Sequence, residues 1–400
     1  MRRARTPALV LAAGLLLAGC GSSARAGDPT WLPKPSFSGE GPMGTAPVQL
    51  PPQGPADGPS GGSAHPRPGT AGSADPAVVA TNLIAPVGIA LLPDGTALVG
   101  ERTTGRIVRV QPQPGHPVQP VRTISGVDPA GDGGLLDLAL SPHYDQDGLI
   151  FAYLTTRTDN RVVTFTLHGP VTPVLTGIPK GATDNTGSLL FGSDGNLYVG
   201  TGDAGHPALA ADPRSLAGKV LRVTDIGRPA AGNPSPSSPV FTSGHHVVDG
   251  LCLAATSDTV IEVEAAGAGG SGNVNVLQAG DSYGWPAGGA SAQGPIATMP
   301  AGQGAPGGCA VLNNTLYLTS RNARLLLATA LTGAGSALSA ASFGSLLVGK
   351  YGRLRTVVAA PDGALWLTTA NRDGSGTPVP TDDRVIRIFP AGAASANFPG

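Results

Sequence analysis

Residues 191–205 read FGSDGNLYVGTGDAG. The pair Asp194-Gly195 supplies the positive φ that a tight hairpin turn needs, at no Cβ cost. From Gly195 to Thr201 the residues alternate with period two, which marks a strand with one buried face. The same order of turn, strand, turn and strand returns along the chain. It appears as LLPDGTALVGERTTGRIVRV from Leu91, as LSPHYDQDGLIFAYLTTRTDNRVVTFTL from Leu140, and as AAPDGALWLTTANRDG from Ala359. Weaker copies are ATSDTVIEVEA from Ala255 and LNNTLYLTSRNARLLLATAL from Leu312.

Six copies at intervals of roughly 50 residues call for an all-β, six-bladed β-propeller. One small sheet cannot bury its own face, so neighbours must stack around an axis. A large β-sandwich is the alternative, but it gives no reason for an even repeat. Long helical patterns are absent, and ALAADPRSLAGKVLRV has room for one short helical turn. Closure of the ring would pair a strand near Val78–Leu83 with one near Val385–Phe389.

The chain begins MRRARTPALVLAAGLLLAGCGSS. Arg2, Arg3 and Arg5 precede an apolar run from Ala8 to Leu17 that is too short for a stable membrane span. Residues 1–19 therefore read as an export signal, set apart from fold reasoning. Leu17-Ala18-Gly19-Cys20 has the form of a lipobox, which would make Cys20 a lipidation site and anchor the protein on the extracytoplasmic face of the cell membrane. Residues 20–75 are rich in Pro, Gly and Ser and have little to bury, so they read as a flexible tether with a reach of roughly 40 Å. The propeller is expected over 76–392, with a tail at 393–400. With Cys20 assigned to the anchor, Cys252 and Cys309 are most simply a disulfide in an oxidising compartment. A net charge of −1 with no arginine stripe argues against nucleic acid as a partner.

Several segments, taken in order, resemble the glucose/sorbosone dehydrogenase family, the soluble sugar dehydrogenases that use pyrroloquinoline quinone. They are GGLLDLALSPHYDQDGLIFAYLTT, GSLLFGSDGNLYVGTGDAG, SLAGKVLRV, TSGHHVVDGL, NVNVLQAGDSYGWP and GRLRTVVAAPDGALWLTT. Together they cover nearly all of the chain after residue 80 and look like a divergent lipoprotein branch of that family. The resemblance implies a six-bladed propeller, a sugar substrate, and quinone and calcium as cofactors. It also implies site positions. The family's catalytic histidine falls on Asp184, and a second pocket residue falls on Asp132. The family's Arg-Asn pair falls on His246 and Val247, and its Asp-Glu pair falls on Gly272 and Asn273. Two quinone-binding arginines fall on Arg353 and Arg355. Calcium-binding carbonyls fall on Gly267 and Ala268.

The residues themselves leave alternatives open. A free carboxylate is a weaker base than a free imidazole by about 2.6 pH units, so Asp184 is either a base with less driving force or the cap of a TDNTG turn. Arg353 and Arg355 flank Leu354 and so share one side of a strand, where they suit either a polycarboxylate ligand or loop acids. Arg372 in ANRDG is a further candidate for the same cavity. His245 and His246 offer a partial substitute for the lost arginine or metal ligands; adjacent histidines in a strand point apart, which argues against joint metal binding, so they read as solvated loop residues. Asp145-Gln146-Asp147-Gly148 lacks the later acidic ligand of a calcium loop and reads as a turn. Trp285 and Tyr283 read as packing between blades, with an exposed Trp285 free to stack on a sugar. The function that follows is quinone-dependent oxidation of an aldose. Its rival is a non-catalytic propeller that binds a carbohydrate, an envelope component or a protein.

Overall fold

The computed structural model describes residues 75–255, 258–265, 271–286 and 294–390. Cys20, the leader, the tether up to residue 74, Gly267, Ala268 and the tail after 390 lie outside them. The short strand β1 (Val78–Ala80) opens the described chain, and four four-stranded sheets and one five-stranded sheet follow in sequence. The first is β2 (Pro86–Leu91), β3 (Ala97–Glu101), β4 (Arg106–Val110) and β5 (Gln119–Thr123). The second is β6 (Leu135–Leu140), β7 (Ile150–Thr155), β8 (Asn160–Phe165) and β9 (Thr172–Ile178). The third is β10 (Gly187–Phe191), β11 (Leu197–Thr201), β12 (Lys219–Val223) and β13 (Val240–Ser243). The fourth is β14 (Val248–Leu253), β15 (Val260–Ala265), β16 (Gly272–Val276) and β17 (Ala297–Thr298). The fifth is β18 (Pro306–Leu312), β19 (Thr315–Ser320), β20 (Leu325–Thr332) and β21 (Ser339–Ala340), with β22 (Gly344–Leu346) also on β20. The sixth sheet takes β23 (Leu354–Ala359), β24 (Leu365–Thr369) and β25 (Val385–Ile388), and β1 completes it.

Every pairing within these sheets is antiparallel. The inner strands β2, β6, β10, β14, β18 and β23 each lie against the next, and β23 lies against β2. The result is the six-bladed propeller that the repeat requires. Its ring is closed by Val78 opposite Ile386 and Ala80 opposite Val385, the pairing expected from the sequence.

The apolar clusters lie between blades, because each sheet covers its neighbour's face. One joins Leu136, Phe151 and Tyr153 of the second blade to Leu197, Val199 and Leu221 of the third. Another joins Trp366 and Val385 of the sixth blade to Val99 and Val108 of the first. Each fully buried side chain of this size contributes about 1.5–3 kcal/mol of transfer free energy. Gly187 shows how tightly the blades approach, since a Cβ there would sit 2.1 Å from the Tyr153 ring.

The Asp-Gly turns work as the sequence demands. In the first, third and sixth blades Gly95, Gly195 and Gly363 take positive φ. Asp94, Asp194 and Asp362 each accept the N–H two residues on, from Thr96, Asn196 and Ala364. Asp145–Gly148 forms one helical turn, α1 (Tyr144–Asp147), ended by a left-handed Gly148. The turn expected near Ala208 is α2 (Ala208–Ala211). Cys252 of β14 and Cys309 of β18 are joined as a disulfide between the fourth and fifth blades.

Candidate functional site

The inner strands enclose an axial cavity of about 790 Å³. Where those strands end, it is walled by Leu91, Leu140, Phe191, Leu253, Val311 and Ala359. Where they begin, it is lined by Arg102, Asp132, Asp184, His246, Arg321, Arg353 and Asp373. Asp137, Asp249 and Arg355 project into it one step further in. Strand antiparallelism accounts for the shared end: Arg102 and Arg321 follow β3 and β19, whose last residues pair with the first of β2 and β18.

The two acids expected at the site, Asp132 and Asp184, both line this end. The Asp132 carboxylate accepts the backbone N–H of Asp184 at 2.6 Å and the Asn185 side-chain amide at 2.6 Å. Asp184 itself sits at φ 58°, and its carboxylate accepts the Thr183 hydroxyl at 2.9 Å. Gly202 lets this loop pass close by, because a Cβ there would lie 2.0 Å from the Asp184 carbonyl oxygen. Asp132 therefore positions the loop that presents Asp184.

His246 reaches the same corner from the next blade. Asp184, Asp203 and His246 bring ligand-type atoms within 4.8 Å of one another. Asp203 is committed, since it accepts the Trp285 indole N–H at 2.8 Å and the Gly205 N–H at 2.8 Å. Trp285 also lies over the His246 ring at 4.3 Å. His246 Nδ1 is 3.3 Å from the carbonyl of Ala265. A carbonyl only accepts, so Nδ1 carries the proton and Nε2 is the basic nitrogen of the neutral ring.

Arg353 and Arg355 both face the cavity, but their situations differ. Arg353 is paired with Asp373 at 3.1 Å. Arg355 has no ion pair and no side-chain hydrogen bond among the described residues, and burial, with Arg321 and Arg102 nearby, pushes it down to about 10. Arg102 is likewise without a carboxylate among the described residues and donates to the carbonyls of Gly131 and Gly133. Asp249 holds Arg321 at 3.4 Å, its Oδ2 has no partner among the described residues, and burial pushes it up to about 6. Asp137 is pushed up by burial to about 7, although it accepts the N–H groups of Leu138 and Leu189.

Two expectations change. Arg372 does not line the axial cavity; it donates to the carbonyls of Val379, Pro380 and Asp382, which claim its guanidinium. His245 is not a solvated loop residue but fully buried, stacked on Tyr283 at 4.7 Å. Trp285, read as packing between blades, is half-buried and held by Asp203 of the third blade. Gly267 and Ala268 lie outside the described residues, and Gly272 and Asn273 bring no carboxylate where the resemblance expects two. The acidic support of the family's calcium site is thus missing at these two positions, and its carbonyls fall outside the described residues.

The sequence reading missed Arg102, Asp137, Asp203, Asp249 and Arg321, which carry no spacing signal. It also missed Lys219, fully buried, whose ammonium donates to the carbonyls of Leu209, Ala210 and Ala217, all at 2.8 Å. That clamp holds α2 and the loop behind Asp203. Burial pushes Lys219 down to about 8.

Comparisons with known proteins agree with this architecture. The PQQ-bound form of aldose sugar dehydrogenase from Streptomyces coelicolor superposes with a TM-score of 0.72 at 38% identity, covering 78% of this chain and 95% of that one. A putative oxidoreductase (glucose dehydrogenase) from Thermus thermophilus gives a TM-score of 0.72 at 35% identity, over 78% and 98% of the two chains. Quinoprotein glucose dehydrogenase B of Acinetobacter calcoaceticus is 29% identical over 256 residues, 53% of this chain and 52% of that protein. The chain thus spans about half the length of the curated relatives it matches. The profile of Glucose / Sorbosone dehydrogenase matches residues 83–378, and with the six-bladed ring this places the chain in the glucose/sorbosone dehydrogenase family.

Proposed function

We propose that the protein is a quinone-dependent aldose dehydrogenase, lipid-anchored through Cys20 on the extracytoplasmic face of the membrane. The observation that carries the catalytic reading is the charge pattern of the cavity. Arg355 and Arg102 face it with no carboxylate partner among the described residues, and Arg353 and Arg321 stand beside them. Half-buried guanidiniums without an ion-pair partner suit a ligand that brings several carboxylates. The donor set therefore fits pyrroloquinoline quinone, and Arg355, Arg102 and Arg353 are the residues that would hold its carboxylates. When bound, that group supplies a two-electron acceptor for the hydride leaving the sugar's anomeric carbon.

Asp184 takes the proton of the anomeric hydroxyl. His246 stands in the same cluster and passes the proton on toward the cavity mouth. Trp285, held by Asp203 and tilted over the His246 ring, offers an apolar face against which a sugar ring packs. The apolar far end of the cavity takes no part in the proton path. No step is routed through calcium.

A second reading has its own support. Asp184 sits in a left-handed turn and its carbonyl accepts the N–H of Ala204, so it has a structural duty without chemistry. On that reading the cavity binds an envelope carbohydrate, another envelope component or a protein and turns nothing over.

One experiment separates the two. The full chain is mixed with pyrroloquinoline quinone, and its absorbance and sugar-dependent reduction of a dye are followed. Dehydrogenation predicts a saturable spectral change and dye reduction with an aldose, lost in Asp184→Asn and slowed in His246→Ala. Saturable quinone binding with no turnover on any aldose would leave the binding reading.

A further inference from the structure

The fourth blade carries a second cluster, away from the cavity lining, that the reaction above does not use. Strand β15 reads VIEVEA and every residue but its last is buried. Ile261 and Val263 face the apolar cluster shared with the fifth blade. Glu262 and Glu264 point the other way, into protein, at 0% and 4% exposure. His245, at 0% exposure, meets them there. Two carboxylates on a central strand need a counter-charge, because burying an unpaired charge is costly.

Among the described residues no lysine or arginine supplies it. The ion-pair partner that both acids share is the His245 ring. The donor that reaches both carboxylates is the Asn275 side-chain amide, at 2.8 Å from Glu262 Oε2 and 3.2 Å from Glu264 Oε1. Glu264 Oε2 also accepts the N–H of His246. Glu262 Oε1 and His245 Nδ1 have no hydrogen-bond partner among the described residues. They lie 3.9 Å apart, and Nδ1 is 3.4 Å from Glu264 Oε2.

The other face of the imidazole is fixed. His245 Nε2 is 2.8 Å from the Thr242 hydroxyl, and the ring stacks on Tyr283. In the tautomer that donates Nε2–H to Thr242, Nδ1 presents a lone pair to two carboxylate oxygens. Three acceptor atoms then converge, and two of them, Glu262 Oε1 and His245 Nδ1, have no donor among the described residues. Outer hydrogen bonds of this kind orient metal-ligating histidines and carboxylates.

We propose that His245, Glu262 and Glu264 bind a divalent transition-metal ion of the zinc class. Zinc takes nitrogen and oxygen ligands at about 2.0–2.2 Å, which sets tetrahedral ligand atoms roughly 3.3 Å apart. The spacings of 3.4 and 3.9 Å are close to that. Calcium prefers about six to eight oxygen ligands, and this site offers three donors, one of them nitrogen. A dipositive ion cancels the two carboxylates. It also ties β15 to the segment that presents His246, so it would brace the fourth-blade wall of the cavity. This site is separate from the Asp184–Asp203–His246 corner and does not depend on quinone binding.

The test uses the untagged full chain, zinc sulfate as probe, and no quinone. The chain should retain one zinc per molecule through gel filtration, read by elemental analysis, and its melting temperature should rise with added zinc. Glu262→Gln and His245→Phe should each weaken zinc binding at least about tenfold, whereas His246→Ala should not. Zinc lost in His246→Ala but kept in the other two would assign the ion to the cavity corner and overturn the proposal. So would a chain that retains no zinc. If the buried variants fail to fold, anomalous diffraction at the zinc edge from wild-type crystals decides. A peak between the three side chains supports the site, and a peak elsewhere or none ends it.

Discussion

Where the inner strands end, the first, third and sixth blades repeat one device; where they begin, the residues change from blade to blade. At the turn end, Asp94, Asp194 and Asp362 each cap their own hairpin and each pair with an arginine on the third strand, Arg109, Arg222 and Arg387. Those arginines sit opposite Leu98, Tyr198 and Trp366 in register, so one geometry serves three sheets. At the other end the lining runs Arg102, Asp132, Asp184, His246, Arg321 and Arg353. The repeated end answers a demand that every hairpin shares. The varied end surrounds one asymmetric space, with arginines from the first, fifth and sixth blades facing acids and a histidine from the second, third and fourth. Scaffold and site are thus written at opposite ends of the same strands.

The largest effect should come from neither end but from the staple between blades. Cys252 and Cys309 are 57 residues apart in sequence and close a loop between β14 and β18. A cross-link over a loop of that length restricts the unfolded chain by about 4 kcal/mol. Cys252→Ala with Cys309→Ala should lower stability by roughly that amount in denaturant titration while leaving the blades formed. A midpoint unchanged within error would show that the closed ring already holds these blades together.

The two ends should then respond oppositely to substitution. Arg355 is strained at the site end: burial and two neighbouring arginines disfavour its charge. Arg355→Met should stabilise the ligand-free chain by on the order of 1–2 kcal/mol. The same change should weaken quinone binding about 100-fold, the loss expected for a charge-assisted contact in a closed site. At the turn end, Asp194→Ala removes the Asn196 cap, the Tyr198 hydroxyl contact and the Arg222 pair. It should cost about 1–2 kcal/mol and leave quinone affinity unchanged. Thermal melts and absorbance titrations on both variants test the pair. Loss of stability in both, with affinity falling together, would erase the distinction between the ends.

The same division decides what the sequence discloses. Asp-Gly pairs are legible because backbone geometry demands them, and they recur. The closing strand near Val78 is legible because a ring must pair its ends. The cysteine pair is legible from number together with the expectation of an oxidising compartment. Asp203, Asp249 and Arg321 carry no such mark: each is a single polar residue whose meaning depends on what the ring brings beside it. His245 misleads for the same reason, because TSGHHVVDG has the composition of a loop, yet its first histidine is fully buried. Arg372 misleads in reverse. Its loop lies near the cavity mouth, but three carbonyls satisfy its guanidinium first.

A smaller effect probes the site end through pH, with no ligand present. Asp137 has its carboxyl pushed by burial from an ordinary 3.8 to about 7, and Asp249 to about 6. Both folded-state values are raised, so the folded chain holds protons that the unfolded chain has released. The stability this gives is fully present below about pH 4 and is lost as pH rises through 6 and 7. Unfolding free energy of the ligand-free chain should therefore decline from pH 4 toward pH 8 wherever these two groups dominate. Asp137→Asn cannot ionise, so its decline should be shallower. It should also be less stable at pH 4, because one amide oxygen replaces two carboxylate oxygens that accept the N–H groups of Leu138 and Leu189. The two profiles should converge as pH rises. Parallel profiles would mean that Asp137 is ionised in the folded chain across the whole range, and that the site end does not carry the unfavourable charge that separates it from the turn end.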